Sequence, residues 1–428
     1  MALTPLEEAR SHVLAACRPL DPVRLPLAAA LRCVLAAGVE AAEAVPPFAN
    51  TAMDGFAVRA SDTDGASGDR PVALTVVGTL RAGMAPEVEV QHGQAMRIMT
   101  GAPMPPGADA VVIVERTQMR AGDSDPDGEG VVEVLEPVAP GRNVRAAGDD
   151  VEVGQTVFEV GEVLSPGHLG VLASIGEPSV TVYPPLRVGV FSTGDELVAP
   201  GNPLAPGQIR DSNRLAMLAS VQEAGCDGVD LGAIPDDQGE ISEAITGGAL
   251  RCDALLTTGG VSMGDFDFVK VVLDRLGEMR WMQIAIKPAK PFAFGTIEVG
   301  TSARRRSAQR RQVPVFGLPG NPVSSMVSFE LLARPALLKM MGHPPGGLDR
   351  ASVTATADDA FARQPDGKTH FVRVVVEWRP DDRSYHARSA GAQGSHQLTA
   401  MAAANGLAIL PDGAGTKPGE QMEVMLLT

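Results

Sequence analysis

The chain has 428 residues, a formal net charge of −16, 44% hydrophobic residues and only 4% aromatic ones. At about 150 residues per domain the length suggests roughly three domains, with cores built from Val, Leu, Ala and Met. The acidic balance lacks the basic face of a nucleic-acid binder, yet it allows an anionic small substrate, because a local pocket can oppose the global charge. Cys17, Cys33, Cys226 and Cys252 are widely spaced, and none forms a CxxC pair. With the histidines equally scattered, a zinc site is not expected, and the thiols read as buried and reduced in a cytoplasmic protein. No apolar run reaches the roughly 18 residues of a membrane span, and the acids in MALTPLEEARSHVLAAC do not suit a signal peptide.

In chain order, Thr4-Pro5 before LEEARSHVLAAC predicts a helix with Thr4 as N-cap and Pro5 at its first position. A second helix is expected over Pro26 to Ala37, ending near Gly38. From Val45 to about Val138, short runs such as VALTVVGTL and DAVVIVER separated by Gly and Pro predict a β-rich module. Its AGDSDPDGEG segment, Ala121 to Gly130, reads as an acidic hairpin loop. A short helix follows Ser165-Pro166, and Pro184-Pro185 marks a domain joint. From Leu186 to Met341 strands (LRVGVFSTG, VDLGAI, DALLTTGG, VPVFGLPG) alternate with helices, one of them capped by Asn213. That alternation predicts a parallel sheet covered on both faces. GTSARRRSAQRRQ is a basic polar loop, and from Pro344 onward a small β domain is expected. The resulting scheme is 1–44 with 140–185 as a discontinuous helical and linker domain, 45–139 as a β-rich domain, 186–342 as the α/β domain and 343–428 as the last β domain.

Three strand ends of the α/β segment run into glycine turns: VFSTGDELV, LLTTGGVSMGDFD and FGLPGNPVSS. Ligands of open α/β sheets bind beyond the carboxyl ends of the strands, and free backbone N–H groups at a helix N-terminus favour an anion. Gly259, Gly260, Ser262 and Gly264 are therefore candidates to wrap a phosphate. Asn321 reads as an N-cap, with Pro322 as the first helical residue. One such turn would be ordinary structure; three in one sheet point to a phosphate-type pocket. Acids sit beside them: Asp195 and Glu196, Asp236 and Asp237, Asp265 and Asp267. Exposed carboxylates usually just face water, but Mg²⁺ is commonly held by one or two carboxylates together with substrate phosphates. Lys287 and Lys290 of IKPAKPF could supply positive charge.

PPFANTAMDGFAVR, RIMTGAPMPPGADAVV, FSTGDEL, TTGGVSMGDFDFVK, IKPAKPFAFG and GLPGNPVSS, in this order, resemble the molybdopterin molybdenumtransferases, a family that includes the E domain of gephyrin. The resemblance covers nearly the whole chain. It implies an elongated subunit of α/β and β domains, in which an α/β molybdopterin-binding domain is joined to β-rich ones. It also implies a homodimer with the active site formed between subunits, in which molybdate is inserted into adenylylated molybdopterin with Mg²⁺ assisting and AMP released. By motif, the family's functional groups fall on Asp54, Thr100, Glu196, Asp236, Asp267 and Lys287, with Lys290, Pro319, Gly320, Asn321 and Pro322 as substrate contacts. Asp150 and Ser395 match more loosely. Glu196 and Asp236 are the implied cation ligands. A molybdopterin adenylyltransferase and apo-molybdoenzymes or their chaperones are the implied partners.

Two features depart from relatives: Gln283 stands where some members carry a basic residue, and the Ala303 to Arg311 insertion exceeds what a hairpin needs. The insertion reads as a solvent loop, or else as a docking patch for an acidic partner or an anionic substrate. Alternative activities are molybdopterin adenylylation, which would need only the segment from Leu186 to Met341, and a paralogue loading tungstate. A gephyrin-like scaffold is not expected, since the sequence opens on its first helix without a trimerising domain.

Overall fold

The computed structural model describes residues 3–120, 130–260, 268–300 and 311–427. The expected acidic loop over Ala121 to Gly130, the residues Ser262, Gly264, Asp265 and Asp267, and the basic stretch up to Arg310 lie outside them, apart from Gly130 itself.

Helix α1 (Leu6–Ala16) begins at Pro5, which occupies the N-cap position. Thr4, expected to cap, instead pairs its backbone with Ile284, donating an N–H to the Gln283 carbonyl at 2.7 Å. Ala9, Val13 and Cys17 are buried in the same core as the strand residues Val188 and Val190 and the helix residues Leu337 and Leu338. α1 thus seats itself on the α/β unit.

The helix expected over Pro26 to Ala37 does not form. Val23–Pro26 is a strand paired with Ser179–Val182, a 3₁₀ turn spans Leu27–Ala29, and Val34–Leu35 pairs with Tyr183 and Val182. Arg32 adopts φ 66°, a left-handed turn that no helix interior tolerates. The Ala-rich composition favours helix, but sheet pairing and burial of Ala30, Cys33 and Leu35 override that weak preference. The short helix α2 (Pro166–Ser174) forms as expected, with a capping box between Ser165 and His168.

A six-stranded sheet organises the β-rich module, in the order Ala110–Ile113, Gly55–Val58, Gln94–Ile98, Val72–Leu80, Gly130–Val134, Thr117–Met119. In the α/β unit the sheet runs Asp227–Ile234, Arg187–Thr193, Ala254–Thr258, Arg311–Leu318, Pro291–Val299, Gly277–Gln283. Its first four strands are parallel. The last two are antiparallel additions, so the sheet is mixed where an all-parallel one was expected. Helices α3 (Asn213–Glu223) and α4 (Gln238–Arg251) follow the first two strands of this unit in the chain, and α5 (Phe268–Leu276) follows Ala254–Thr258. The last helix is split into α6 (Pro322–Ser328), a π turn over Phe329–Ala333 and α7 (Arg334–Met340). Pro335, which offers no N–H to the preceding turn, accounts for the interruption. In the C-terminal unit Thr369–Arg379, Ser384–Ser389, Ser352–Ala357, Gln421–Leu426 and Gly406–Leu410 close into a ring of paired strands. All four cysteines are free and buried. Among the described residues no helix is long and apolar enough to cross a membrane.

Gly342 ends α7 with φ 81°, and a Cβ there would overlap the Tyr183 ring. Gly342→Ala combines left-handed strain with overpacking. The expected result is a loss of about 2–4 kcal/mol, read as a lower denaturant midpoint. An unchanged midpoint would contradict this packing at the joint.

Candidate active site

Three strand ends of the α/β sheet lie side by side. Ser192 is opposite Thr258, and Thr258 is opposite Leu318. The chains that leave them touch. Gly259 donates its N–H to the Leu318 carbonyl at 3.2 Å. With φ 94°, a Cβ on Gly259 would lie 3.1 Å from the Thr193 carbonyl oxygen. A Cβ on Gly320 would come within 3.8 Å of the Gly259 Cα, an ordinary contact that puts the two turns side by side. Pro319 is buried here, while Gly320 and Asn321 are exposed. Glycine is required where backbones approach as closely as those of Gly259 and Thr193.

Helix α3 locks the third turn. Asn213 donates its side-chain N–H to the Gly320 carbonyl at 2.7 Å, so it is a tie between loops rather than the expected cap. Asp211 takes over the capping work, accepting the Arg214 N–H at 3.2 Å. It also accepts from Ser192 at 2.7 Å and from Arg214 Nε at 2.8 Å. Asn321 sits at the N-cap of α6 without a side-chain cap bond, and Pro322 opens the helix. The Val323 N–H donates to the Ser395 carbonyl at 3.1 Å, which brings Ser395 to the start of α6.

The acids cluster on the opposite flank of the turns. A Cβ at Gly194 would overlap the Glu196 carboxylate, so Gly194 lets that side chain fold back over its own turn. The Asp236 N–H donates to Asp195 Oδ1 at 3.1 Å. Partial burial, then the charges of Asp195 and Glu196, push the Asp236 carboxyl above the usual carboxylate range. Asp237 has a structural role, capping α4 through Gly239 at 2.8 Å and Glu240 at 3.0 Å. Among the described residues no three His, Cys, Asp or Glu side chains form a ready cage for a metal. The carboxylate pair Glu196 and Asp236 still suits Mg²⁺, a hard cation that is often held by one or two carboxylates with substrate phosphates completing the shell. Like-charge crowding at Asp236 is the signature of a site that a cation would relieve.

Positive charge comes from another direction. Ile286–Lys287 pairs with Thr369–His370 of the C-terminal unit, and Lys287 lines an open cavity of about 560 Å³ together with Arg363, Asp366, His370 and Gln393. Lys287 and Lys290 are exposed. Arg373, missed in the sequence, is fully buried. Its Nη2 donates to the carbonyls of Ala392 at 2.8 Å and Gly394 at 3.2 Å, next to Ser395, while Nε and Nη1 have no partner. Burial lowers its pKa. The available signal was an arginine within the apolar strand run FVRVVV.

Asp54 and Thr100 form a separate pair in the β-rich module. Asp54 Oδ1 accepts from the Thr100 N–H and hydroxyl, each at 2.7 Å. These two bonds, the backbone one first, hold its carboxyl below the ordinary range. Asp54 lines a cavity of about 320 Å³ together with Phe56, Arg97 and Met119. A Cβ at Gly55 would overlap the Val112 carbonyl, which explains the glycine of AMDG. The hydrogen bonds of Asp54 and Thr100 stay inside this module, so within one chain the structure does not join them to the α/β turns. Asp150 is exposed and remote from both groups in its hydrogen bonding.

Three family regions tile this chain. Residues 4–176 match the MoeA N-terminal region (domain I and II), 189–339 a Probable molybdopterin binding domain, and 354–427 the MoeA C-terminal region (domain IV). A relative from Mycobacterium tuberculosis named Molybdopterin molybdenumtransferase 2 is 37% identical over 425 residues, covering 98% of this chain and 97% of its own. The chain belongs to the molybdopterin molybdenumtransferase family. A Haemophilus influenzae molybdopterin molybdenumtransferase is 36% identical, with 96% of this chain and 95% of its own covered. The crystal structure of a molybdopterin biosynthesis moeA protein from Pyrococcus horikoshii matches all of both chains with a TM-score of 0.78 and 31% identity. The mixed α/β and β architecture is thus that of the family.

Because the folded state raises the Asp236 pKa, it binds a proton more readily than the unfolded chain. Stability therefore falls as pH rises from the unfolded pKa through the folded one, and the penalty is fully present at neutral pH. Asp236→Asn is expected to raise the melting temperature at pH 7 and to leave it unchanged below the unfolded pKa. Thermal melts at both pH values decide it; a lower melting temperature at pH 7 would contradict the crowding.

Proposed function

We propose that this family member carries out the last chemical step of molybdenum cofactor assembly: molybdate is inserted into the dithiolene of adenylylated molybdopterin, the pyrophosphate linkage is cleaved and AMP leaves. The observation that carries the reading is the meeting of three glycine turns beside an acid pair at the carboxyl ends of one sheet. Both substrates are anions, and their mutual repulsion opposes the encounter. The N–H groups of Gly260, Gly320 and Asn321, with Ser262 and Gly264, cradle the phosphates, while Gly259, whose own N–H is held by the Leu318 carbonyl, lets the backbone come close to them and Pro319 and Pro322 shape the turn. Lys287, Lys290 and Ser395 draw the oxyanion, and preorganised charge of this kind is often the largest contribution to catalysis. Glu196 and Asp236 would hold a Mg²⁺, which when bound offsets charge on the phosphoryl oxygens. Asp267 orients the phosphoryl or molybdate group.

The division at 44/45, 139/140, 185/186 and 342/343 belongs to the same reading; separate apolar cores of the two β units and of the 1–44 with 140–185 unit support it, while the core of the α/β unit also takes in Ala9 and Val13 of α1 and Phe371 and Met401 of the C-terminal unit. A homodimer belongs to this reading too: the side-chain hydrogen bonds of Asp54 stay with Thr100 inside the β-rich module, and in a C₂ pair that module of one protomer would meet the turns of its partner. An adenylyltransferase upstream and apo-molybdoenzymes or their chaperones downstream are the partners this chemistry needs, in the cytoplasm.

Light scattering at micromolar concentration is expected to give about twice the 44.4 kDa chain mass; a monomer with full activity would sink the shared site. Glu196→Gln and Asp236→Asn are expected to lower AMP release on the order of 10²-fold or more while keeping pterin binding. Mg²⁺ should raise the melting temperature of the wild type, through binding linkage, and raise that of the variants less. Full AMP release from both variants would remove these acids from the mechanism.

A further inference from the structure

Side chains alternate across a strand. Val188 and Val190 of Arg187–Thr193 and Ala254 and Leu256 of Ala254–Thr258 share one core with Met217 and Val221 of α3 and Val323 of α6. Phe191 and Leu255 lie in the other, with α4 and α5. Thr258 continues the Ala254, Leu256 series, so it sits on the α3/α6 face, beside Ser192 and one residue before Gly259. Thr258 is 2% exposed, and its Oγ1 is buried without a hydrogen-bond partner. Asn213 begins α3 on this face. Its amide N–H is committed to Gly320, and its Oδ1 is likewise buried and unpartnered. Ser192, the polar neighbour of Thr258, is already committed to Asp211.

Buried polar groups are rarely left unpaired, because each one forfeits its bonds to water. Two such groups stand here around a single junction, Gly259 against Gly320. Both can accept hydrogen bonds, and neither carries charge. They are therefore suited to a neutral group with adjacent N–H donors, and not to the phosphates that the turns and lysines serve. The pterin ring has that chemistry along its cyclic amide N–H and exocyclic amine.

We propose that Thr258 Oγ1 and Asn213 Oδ1 form a hydrogen-bonding subsite for the amide edge of the pterin. This rests on the substrate being an adenylylated pterin. The subsite sets which heterocycle the enzyme accepts, while the glycine turns hold the phosphates of any ligand alike. Its unpaired state in the free protein follows, since the partners arrive with the substrate.

Thr258→Val removes the hydroxyl at constant volume. Because that hydroxyl has no partner within the protein, the melting temperature is expected to stay the same or rise. Affinity for adenylylated molybdopterin, measured by titration, is expected to fall about tenfold to a hundredfold, the equivalent of one buried group left unpaired. Affinity for AMP alone should not change. Asn213→Leu also frees the Gly320 turn, so it is tested with an analogue methylated on the cyclic amide nitrogen. Wild type should discriminate against that analogue about tenfold or more, and Asn213→Leu should not. Unaltered pterin affinity in Thr258→Val, an equal loss of AMP affinity, a markedly lower melting temperature, or retained discrimination by Asn213→Leu would each overturn the subsite. A wild type that fails to bind adenylylated pterin at all would overturn the substrate reading beneath it.

Discussion

The candidate site depends on one close approach, that of the Gly259 backbone to Thr193. Three turns can share a ligand only if their strands end at the same level, and the parallel register places Ser192, Thr258 and Leu318 there. The sheet is packed on both faces, by α3 and α6 on one and α4 and α5 on the other. Its ends are therefore rigid, and rigid placement of binding groups removes ordering costs at the moment of reaction. Ties between loops add to this, with Asn213 holding Gly320 and Asp211 holding both Ser192 and Arg214.

Several groups around these turns are worse off in the free protein than stability alone would choose. Asp236 is crowded by Asp195 and Glu196. Arg373 is wholly buried with two guanidinium nitrogens unpaired. Thr258 and Asn213 each leave an acceptor unused. A protein optimised only to fold would have paired or replaced them. Their concentration near strand ends fits a site whose missing partners are a cation and a polar heterocycle. The overall charge of −16 makes the local cations matter more, since an anionic ligand must be drawn against the field of the whole molecule.

Two β units serve the α/β unit in different ways. The C-terminal ring grips the IKPAK segment by direct strand pairing at Lys287, so the lysine is held against His370 of the same strand that buries Arg373. The β-rich module holds Asp54 through two hydrogen bonds from Thr100.

Much of this was legible in the residues themselves. Strand and helix alternation over Leu186 to Met341 announces the α/β unit, because period and turn chemistry are local properties. The glycine turns and adjacent acids announce an anion site for the same reason, and the ordered motifs carry the family. Other features became visible only in three dimensions. Pro26 to Ala37 has helical composition but is strand and turn, since its partners lie near residues 179–183. Asn213 and Asn321 both resemble caps, yet one binds Gly320 and the other makes no cap bond. The edge strands are antiparallel because a hairpin-like return, not a crossover, feeds Pro291–Val299. Arg373 and Thr258 gain their significance from burial without a partner, which depends on every neighbour at once. Local sequence dictated the elements and the chemistry on offer. Which groups meet, and which are left unpaired for a ligand, was decided by packing between residues far apart in the chain, because hydrogen-bond satisfaction and burial are properties of the assembled fold.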